Sequence, residues 1–352
     1  MPNGSSSGRN SSHTSAAEVE ADDEDRWAAS ASGTARSAGL EVASLDVIDA
    51  PRAASMLRAA EPGDNGANIL AAALQDRGSI NRRELERDLR EALNAGQLHL
   101  HWQPIVNCLT GALHRFEALV RWDRPGVGKV SPATFVPIAE ALGLFKQLDT
   151  WVLRTACAEA LRWPLAYRAA VNISAHWFQG EDLSHMVEAV LRGSGLDPGR
   201  LEIEVTERVF IDNPGNAQRE LAQLKALGVG LSLDDFGTGY SSLSYLRTIP
   251  FDKLKLDHLF IENLGTCRRT EVITRAVLQL GAGLGMAVCA EGVAHQAQLE
   301  ILQAYNCDEA QGYVIGRPGP LTPERFALYT RLDRSSLFMG PELLEPDPRN
   351  PA

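Results

Sequence analysis

Two adjacent carboxylates, Asp234 and Asp235, end an apolar alternation of Val229, Leu231 and Leu233 that has the period of a half-buried strand. Neighbouring acids repel each other, and burying them uncompensated costs several kcal/mol or forces protonation. A hard divalent cation removes that cost, because it prefers carboxylate oxygen. Phe236 follows, then Gly237, Thr238, Gly239, Tyr240, Ser241 and Ser242, a turn-rich loop whose glycines permit close backbone approach. Taken alone, the stretch Leu231–Leu246 also reads as a strand end with two solvated acids.

Comparable groups recur along the chain. Glu117 lies in FEALVRW, and Asn172 ends an apolar run with Ser174 just beyond. Glu204 sits between Ile203 and Val205, with Glu207 following. Lys255 precedes Asp257, Glu291 follows Ala290, and Gln311 comes later. Each alone is an ordinary rim residue. Together they form an all-oxygen set suited to Mg²⁺ or Mn²⁺, and less to zinc, since it contains no His or Cys. Two such ions about 3.5–4 Å apart, bridged by a carboxylate, clamp the oxygens of a phosphoryl displacement and acidify a shared water. On that reading Asp234 and Asp235 each face one ion, with Asp234 as the bridge, and Lys255 orients the water or neutralises phosphate. Arg121, four residues after Glu117 on one strand face, pairs with a phosphate. Glu207 either anchors the loop through Thr238, Ser241 or Ser242, or caps the next helix.

The elements that must position these groups alternate. A helix is expected over Asn81–Asn94, with Leu85, Leu89 and Leu93 on one face and Gly96 as a stop. Strands over Leu98–Val106 and Ala112–Trp122 are joined by a hairpin-like turn at Leu109–Gly111. Helices then read over Pro132–Gly143, Leu148–Arg162, Leu183–Arg192, Asn216–Leu227, Glu271–Leu280 and Gln296–Tyr305. Between them fall strands at Ala166–Ile173, Leu201–Val205, Lys253–Leu256, Met286–Ala290 and Glu309–Val314. Such alternation over roughly 240 residues implies a (β/α)₈ barrel of the TIM type, whose chemistry sits at the C-terminal strand ends. The polar groups above fall at those ends, so they converge on one mouth.

Before the barrel, Met1 to about Gly39 is rich in Ser, Gly, Ala and charge and is expected to be disordered. Glu41–Arg83 reads as a linker or a small partner-binding segment, with short helices at Ala53–Ala60 and Ile69–Leu74. The expected division is an extension over 1–80, a barrel over 81–332 and a flexible tail over 333–352. The 352 residues are 44% hydrophobic, enough for a large core, and the net charge of −11 argues against general nucleic-acid or membrane-surface binding. The five cysteines form no C-x-x-C pair, so neither a zinc site nor a disulfide framework is indicated. No apolar run spans a bilayer and no signal peptide is visible, so the expected location is the cytoplasm. Gly281-Ala-Gly283-Leu-Gly285 reads as a helix stop rather than a dinucleotide loop, and no nucleophile elbow, P-loop or H-E-x-x-H occurs. His176 and His258 are placed to line the mouth, but solvated or packed roles are the favoured reading.

The ordered motifs carry a family resemblance. Glu117-Ala118-Leu119, Gln103-Pro104-Ile105-Val106, Asn172-Ile173-Ser174, Glu204-Val205-Thr206-Glu207, DDFGTGYSSLSYL from Asp234, Lys255-Leu256-Asp257, Ala290-Glu291-Gly292-Val293 and Gln311-Gly312-Tyr313 resemble the EAL-domain phosphodiesterases, which cleave cyclic di-GMP to linear pGpG. The resemblance covers about Arg83 to Pro320. It implies a barrel whose first strand runs against the others. It also implies metal ligation by Glu117, Asn172, Glu204, Asp234, Asp235 and Glu291, with Gln311 near the water held by the metal and Lys255 as the catalytic lysine. Gln103, Arg121 and Asp257 match substrate-contacting positions, and Glu207 matches the glutamate that anchors the loop after the fifth strand, a loop associated with dimerisation. Leu256 stands where Ile is usual, Ala294 where Glu is frequent, and Gly316 where Ser is usual. No diguanylate-cyclase signature precedes the barrel, so a stand-alone EAL protein with a short extension is expected. A non-catalytic cyclic di-GMP receptor or scaffold on the same fold is the alternative reading.

Overall fold

The computed structural model describes residues 82–211, 213–237 and 243–331. The expectations for the extension, its two short helices, the C-terminal tail and loop residues Thr238, Gly239, Tyr240, Ser241 and Ser242 lie outside the described residues.

Helix α1, Arg82–Ala95, buries Leu85, Leu89 and Ala92 along one stripe. Strands β1, Leu98–Asn107, and β2, Leu113–Arg124, form an antiparallel hairpin, and β3, Gly128–Val130, extends β2 at its far end. Then follow α2 (Pro132–Ala141), α3 (Phe145–Ala160), β4 (Arg168–Asn172), α4 (Leu183–Ser194), β5 (Leu201–Thr206), α5 (Pro214–Ala226), β6 (Gly230–Phe236), α6 (Leu243–Thr248) and β7 (Lys253–Leu256). The series ends with α7 (Arg268–Leu284), β8 (Ala287–Ala290), α8 (Gln296–Ala304), β9 (Glu309–Ala310) and α9 (Pro323–Tyr329).

The sheet runs β1-β9-β8-β7-β6-β5-β4-β2-β3, and β1 also pairs with β2, which closes an eight-stranded barrel with β3 as an appendage. β1 is antiparallel to both β2 and β9, while the other barrel pairs are parallel. The short link between Asn107 and Leu113 explains the reversal, because a parallel return needs a crossover of a dozen or more residues. The (β/α)₈ expectation with a reversed first strand therefore holds. Outside the barrel, Phe116, Val171, Ile203, Leu231, Leu254 and Val288 pack under the helices in one continuous apolar core.

The barrel interior is layered. Arg115, Glu202, Lys253 and Glu309, from the alternate strands β2, β5, β7 and β9, meet across it. Arg115 Nη2 lies 2.7 Å from Glu309 Oε1, and its other terminal nitrogen bonds Glu202. Lys253 Nζ lies 3.1 Å from Glu202 and 2.5 Å from Glu309. Two residues further along each of those chain segments stand Glu117, Glu204, Lys255 and Gln311, also buried. Ala170, Ser232 and Cys289, fully buried on the intervening strands, are each in register with one member of either set. Such layers from alternate strands are how TIM-type barrels fill their interiors. The lower layer balances two cations with two anions. The upper layer does not balance.

Several expected boundaries are corrected. The last strand stops at Ala310 instead of Val314, and Gln311 lies just past it. There the chain turns to bond the Glu291–Val293 segment, with Val293 N donating to Gln311 O and Val314 N to Val293 O. A Cβ on Gly312 would lie 2.2 Å from Val293 O. Gly281 and Gly283 do not stop α7, which continues to Leu284 and is capped by Gly285 at φ 70°. Gly281 is required by packing, since a Cβ there would come within 2.3 Å of Val288 on β8. Elements β3, α6 and α9 have no counterpart in the sequence reading.

Candidate active site

Lys255 Nζ is the hub of the upper layer. It lies 2.7 Å from Glu291 Oε1, 2.9 Å from Glu204 Oε2, 3.3 Å from Asp234 Oδ1 and 3.7 Å from Glu117 Oε2. Glu117 is also held from two sides. Asn172 Nδ2 donates to its Oε1 at 2.7 Å, and Gln311 Nε2 to its Oε2 at 2.5 Å. Gln311 donates as well to Gln103 Oε1, and Gln103 in turn to the Gly316 carbonyl. Residues from β1, β2, β4, β5, β6, β7 and the segments after β8 and β9 thus converge on one mouth.

Strict alternation would send Asp234 and Asp235 to opposite faces of β6. A register break against β7 falls between Leu233 and Phe236, and Asp235 takes φ 53°. This bulge turns both acids to the mouth, where oxygens of Asp234, Asp235 and Glu291 lie within 4.8 Å of one another. A left-handed backbone at a non-glycine residue is strain of the kind that collects at functional sites.

Burial governs the protonation of this cluster. Desolvation pushes Glu204 and Glu291 up to about 8, with Lys255 opposing the rise and neighbouring acids adding to it. Burial, then Asp234 and Asp257, raise Asp235 to about 6, and burial also raises Asp234. For Lys255 burial disfavours the charge, but Asp234, Glu117, Glu204 and Glu291 outweigh it and hold the ammonium well above its ordinary range. Five carboxylates share this single ammonium.

The donor set fits hard divalent cations. Every candidate ligand offers oxygen, and Glu204 Oε1 and Gln311 Oε1 are buried without a hydrogen-bond partner among the described residues. Glu117, Asn172, Glu204, Asp234, Asp235 and Glu291 would hold such ions.

The remaining expected residues surround this centre. Asp257 accepts from Leu259 N at 2.8 Å, pairs with His258 Nδ1 at 3.2 Å and is hydrogen-bonded to Asp235. Arg121 is half-buried at the rim, with one nitrogen on the Val120 carbonyl. Glu207 Oε1 accepts from Gly237 N at 3.2 Å, at the start of the loop it was expected to hold. His176 faces Ser174, at 3.1 Å, and Glu140. The sequence reading gave no individual role to Tyr313 or Arg317. The Arg317 guanidinium lies 4.4 Å over the Tyr313 ring, and Tyr313 is close enough to Arg121 to influence its charge. An aromatic and a cation just after Gln311 were the available signal. At the opposite end of the barrel, a cavity of about 340 Å³ is lined by Arg115, Arg168, Glu202, Lys225, Asp252 and Lys253. Its buried charges pair with one another, so it lacks the imbalance of the mouth.

A closed α/β barrel with one reversed strand and a carboxylate-lined mouth defines the class of this molecule. The chain belongs to the EAL domain family, whose pattern matches residues 86–318. It is 42% identical over 255 residues to the cyclic di-GMP phosphodiesterase NbdA of Pseudomonas aeruginosa, covering 71% of this chain and 33% of that one. It is 41% identical over 280 residues to the uncharacterised protein y4lL of Sinorhizobium fredii, covering 80% and 34%. The chain therefore spans about a third of the length of these curated relatives. Among solved structures, the PaMucR phosphodiesterase in complex with c-di-GMP superposes with a TM-score of 0.66 at 40% identity, over 69% of this chain and 99% of that one. The EAL domain of Mycobacterium smegmatis DcpA gives 0.54 at 32% identity, over 64% and 92%. Among the described residues no helix is long and apolar enough to cross a membrane.

Proposed function

We propose that this chain is a phosphodiesterase that hydrolyses cyclic di-GMP to linear pGpG with Mg²⁺ or Mn²⁺ in a two-metal site. The observation that carries this reading is the charge imbalance at the mouth: four carboxylates lie against one ammonium with Asp235 beside them, and among the described residues two buried oxygens there have no hydrogen-bond donor. The similarity to NbdA and to the PaMucR complex supports the choice of substrate. When bound, the metal pair would lower the pKa of a water and stabilise charge on the phosphoryl oxygens.

The protein groups divide the remaining work. Lys255, held charged by four carboxylates, is no general base at neutral pH. It serves as a fixed cation and donor that orients the attacking water and the phosphate. Gln311 spends its amide on Glu117 and Gln103, which leaves Oε1 to accept from that water. Arg121 binds a phosphate oxygen, and Gln103 and Asp257 contact the nucleotide. Glu207 holds the loop after β6 through Gly237, which keeps the bulged Asp235 in place. The same reading includes a barrel domain over 81–332, a homodimer through the barrel, a cytoplasmic location, and a protein partner for the extension.

The test is a time course of the full chain with cyclic di-GMP in Mg²⁺, Mn²⁺ or EDTA. Metal-dependent appearance of pGpG supports the enzyme, whereas nucleotide binding without cleavage favours a receptor. Glu117→Ala removes an acid that touches Lys255, Asn172 and Gln311 and is expected to abolish cleavage. Full activity in that variant would sink the role given to Glu117.

A further inference from the structure

Asn172 is exposed at the end of β4, where the sheet ladder stops. Ile173 N still reaches the Glu204 carbonyl at 3.0 Å, but Ser174 N has no strand partner left. Asp149, on α3, supplies the acceptor. Its Oδ2 takes Ser174 N at 3.0 Å and Trp177 Nε1 at 2.9 Å. Asp149 is 8% exposed and Trp177 5%, so the acceptor and the indole donor are both buried away from solvent. On the other side, Ser174 Oγ donates to Glu140 Oε1 from α2 at 2.7 Å. Two helices thus grip one residue, two positions after the side chain that donates to Glu117.

We infer that Asp149 is a positioning residue for the metal centre: by holding Ser174 N it fixes the backbone that aims Asn172 at Glu117. This rests on the reading of Asn172 as a metal ligand. Outer hydrogen bonds of this kind orient ligands without touching the metal. Both bonds fall on the same oxygen, so the geometry requires an acceptor at Oδ2 and not a charge. Burial agrees, since desolvation raises Asp149 to about 7, against the pull of Ser174 N and Trp177 Nε1.

The requirement sorts variants. Asp149→Asn keeps a carbonyl oxygen that can accept both bonds. Asp149→Ala removes the acceptor. Asp149→Glu keeps the charge but displaces the oxygens by one methylene. Trp177→Phe removes the second donor and leaves the bond to Ser174 intact. A merely structural Asp149 would lower thermal stability in these variants without regard to metal.

The experiment is calorimetric titration of the full chain with Mn²⁺ alone, without nucleotide, beside a thermal melt of each variant. Asp149→Ala and Asp149→Glu are expected to weaken Mn²⁺ binding by about tenfold. Asp149→Asn retains the wild-type affinity, and Trp177→Phe melts lower but binds Mn²⁺ as the wild type does. Should Asp149→Ala not fold, Asp149→Glu carries the comparison. Unchanged Mn²⁺ affinity in the Ala or Glu variant, with only the melt lowered, overturns the positioning role. Equal loss in Asp149→Asn overturns the acceptor argument. Absence of Mn²⁺ binding by the wild type overturns the metal reading itself, and is recognised because it precedes any substitution.

Discussion

Removing metal should make the stability of this barrel fall as pH rises. In the metal-free protein Glu204 and Glu291 sit near 8 and Asp235 near 6, while the unfolded chain releases the same protons at ordinary carboxylate values. Between about pH 4.5 and 8 the folded state therefore binds more protons than the unfolded state, and stability declines across that window. Displacing one glutamate from 4.5 to about 8 corresponds to about 5 kcal/mol. Asp149, raised to about 7 by burial, acts in the same direction. Glu309 is held below its ordinary value, where burial is outweighed by Lys253, His114 and Arg115, so its contribution changes only below about pH 4.5. Metal binds the deprotonated ligands and reverses the trend. At a hundredfold excess over Kd it adds about 2.7 kcal/mol, worth roughly 5–10 °C in a domain of this size. The assay is tryptophan-fluorescence melting at pH 5.5, 7 and 8.5, in EDTA and in Mg²⁺ or Mn²⁺. In EDTA the melting temperature should fall with pH, and the gap to the metal-loaded protein should widen. A flat or rising EDTA series with no gap would refute the reasoning, since the acids would then be neither desolvated nor ligands.

Two further expected outcomes concern Lys253 and Asp235. Lys253→Met leaves Glu202 and Glu309 buried with one cation instead of two, and should cost about 3–5 kcal/mol in urea unfolding, with turnover per folded molecule unchanged. A cost below about 1 kcal/mol would mean the lower layer is not mutually dependent. Asp235→Gly relieves a left-handed backbone worth about 1 kcal/mol, so the variant should melt at or slightly above the wild type while losing hydrolysis and Mn²⁺ affinity. Retained hydrolysis would remove Asp235 from the metal centre.

Much of the fold was legible because it rests on local periodicity. Helix α1 repeats Leu85 and Leu89 on one face, β7 matches its expected span, and the short turn after Asn107 dictated an antiparallel first strand. Glycines misled where their reason was tertiary. Gly281 looks like a helix stop but is excluded from bearing a Cβ by Val288, a contact between a helix and a strand. The same limit explains Gly316, where a Cβ would meet Pro104 and Tyr329 at 2.7 and 2.6 Å.

The candidate site divides in the same way. The sequence by itself determined which residues carry oxygen and cationic groups at strand ends, and that carboxylates would outnumber cations there. It did not determine that Asp234 and Asp235 face the same way, because alternation separates them and only the bulge against β7 reunites them. It singled out Lys255 but left unread what Lys253, two residues earlier on the same strand face, would meet. Their partners come from β2, β5, β6, β9 and the segment after β8, and closure of the barrel decides which acids each meets. One lysine meets a balancing layer and the other an excess of carboxylates. Asp149 gave no local signal at all, since its partners Ser174 and Trp177 reach it only when α3 packs against the end of β4. Residue type and spacing are properties of the chain, but desolvation and charge balance depend on every neighbour at once, and those neighbours exist only in the closed barrel.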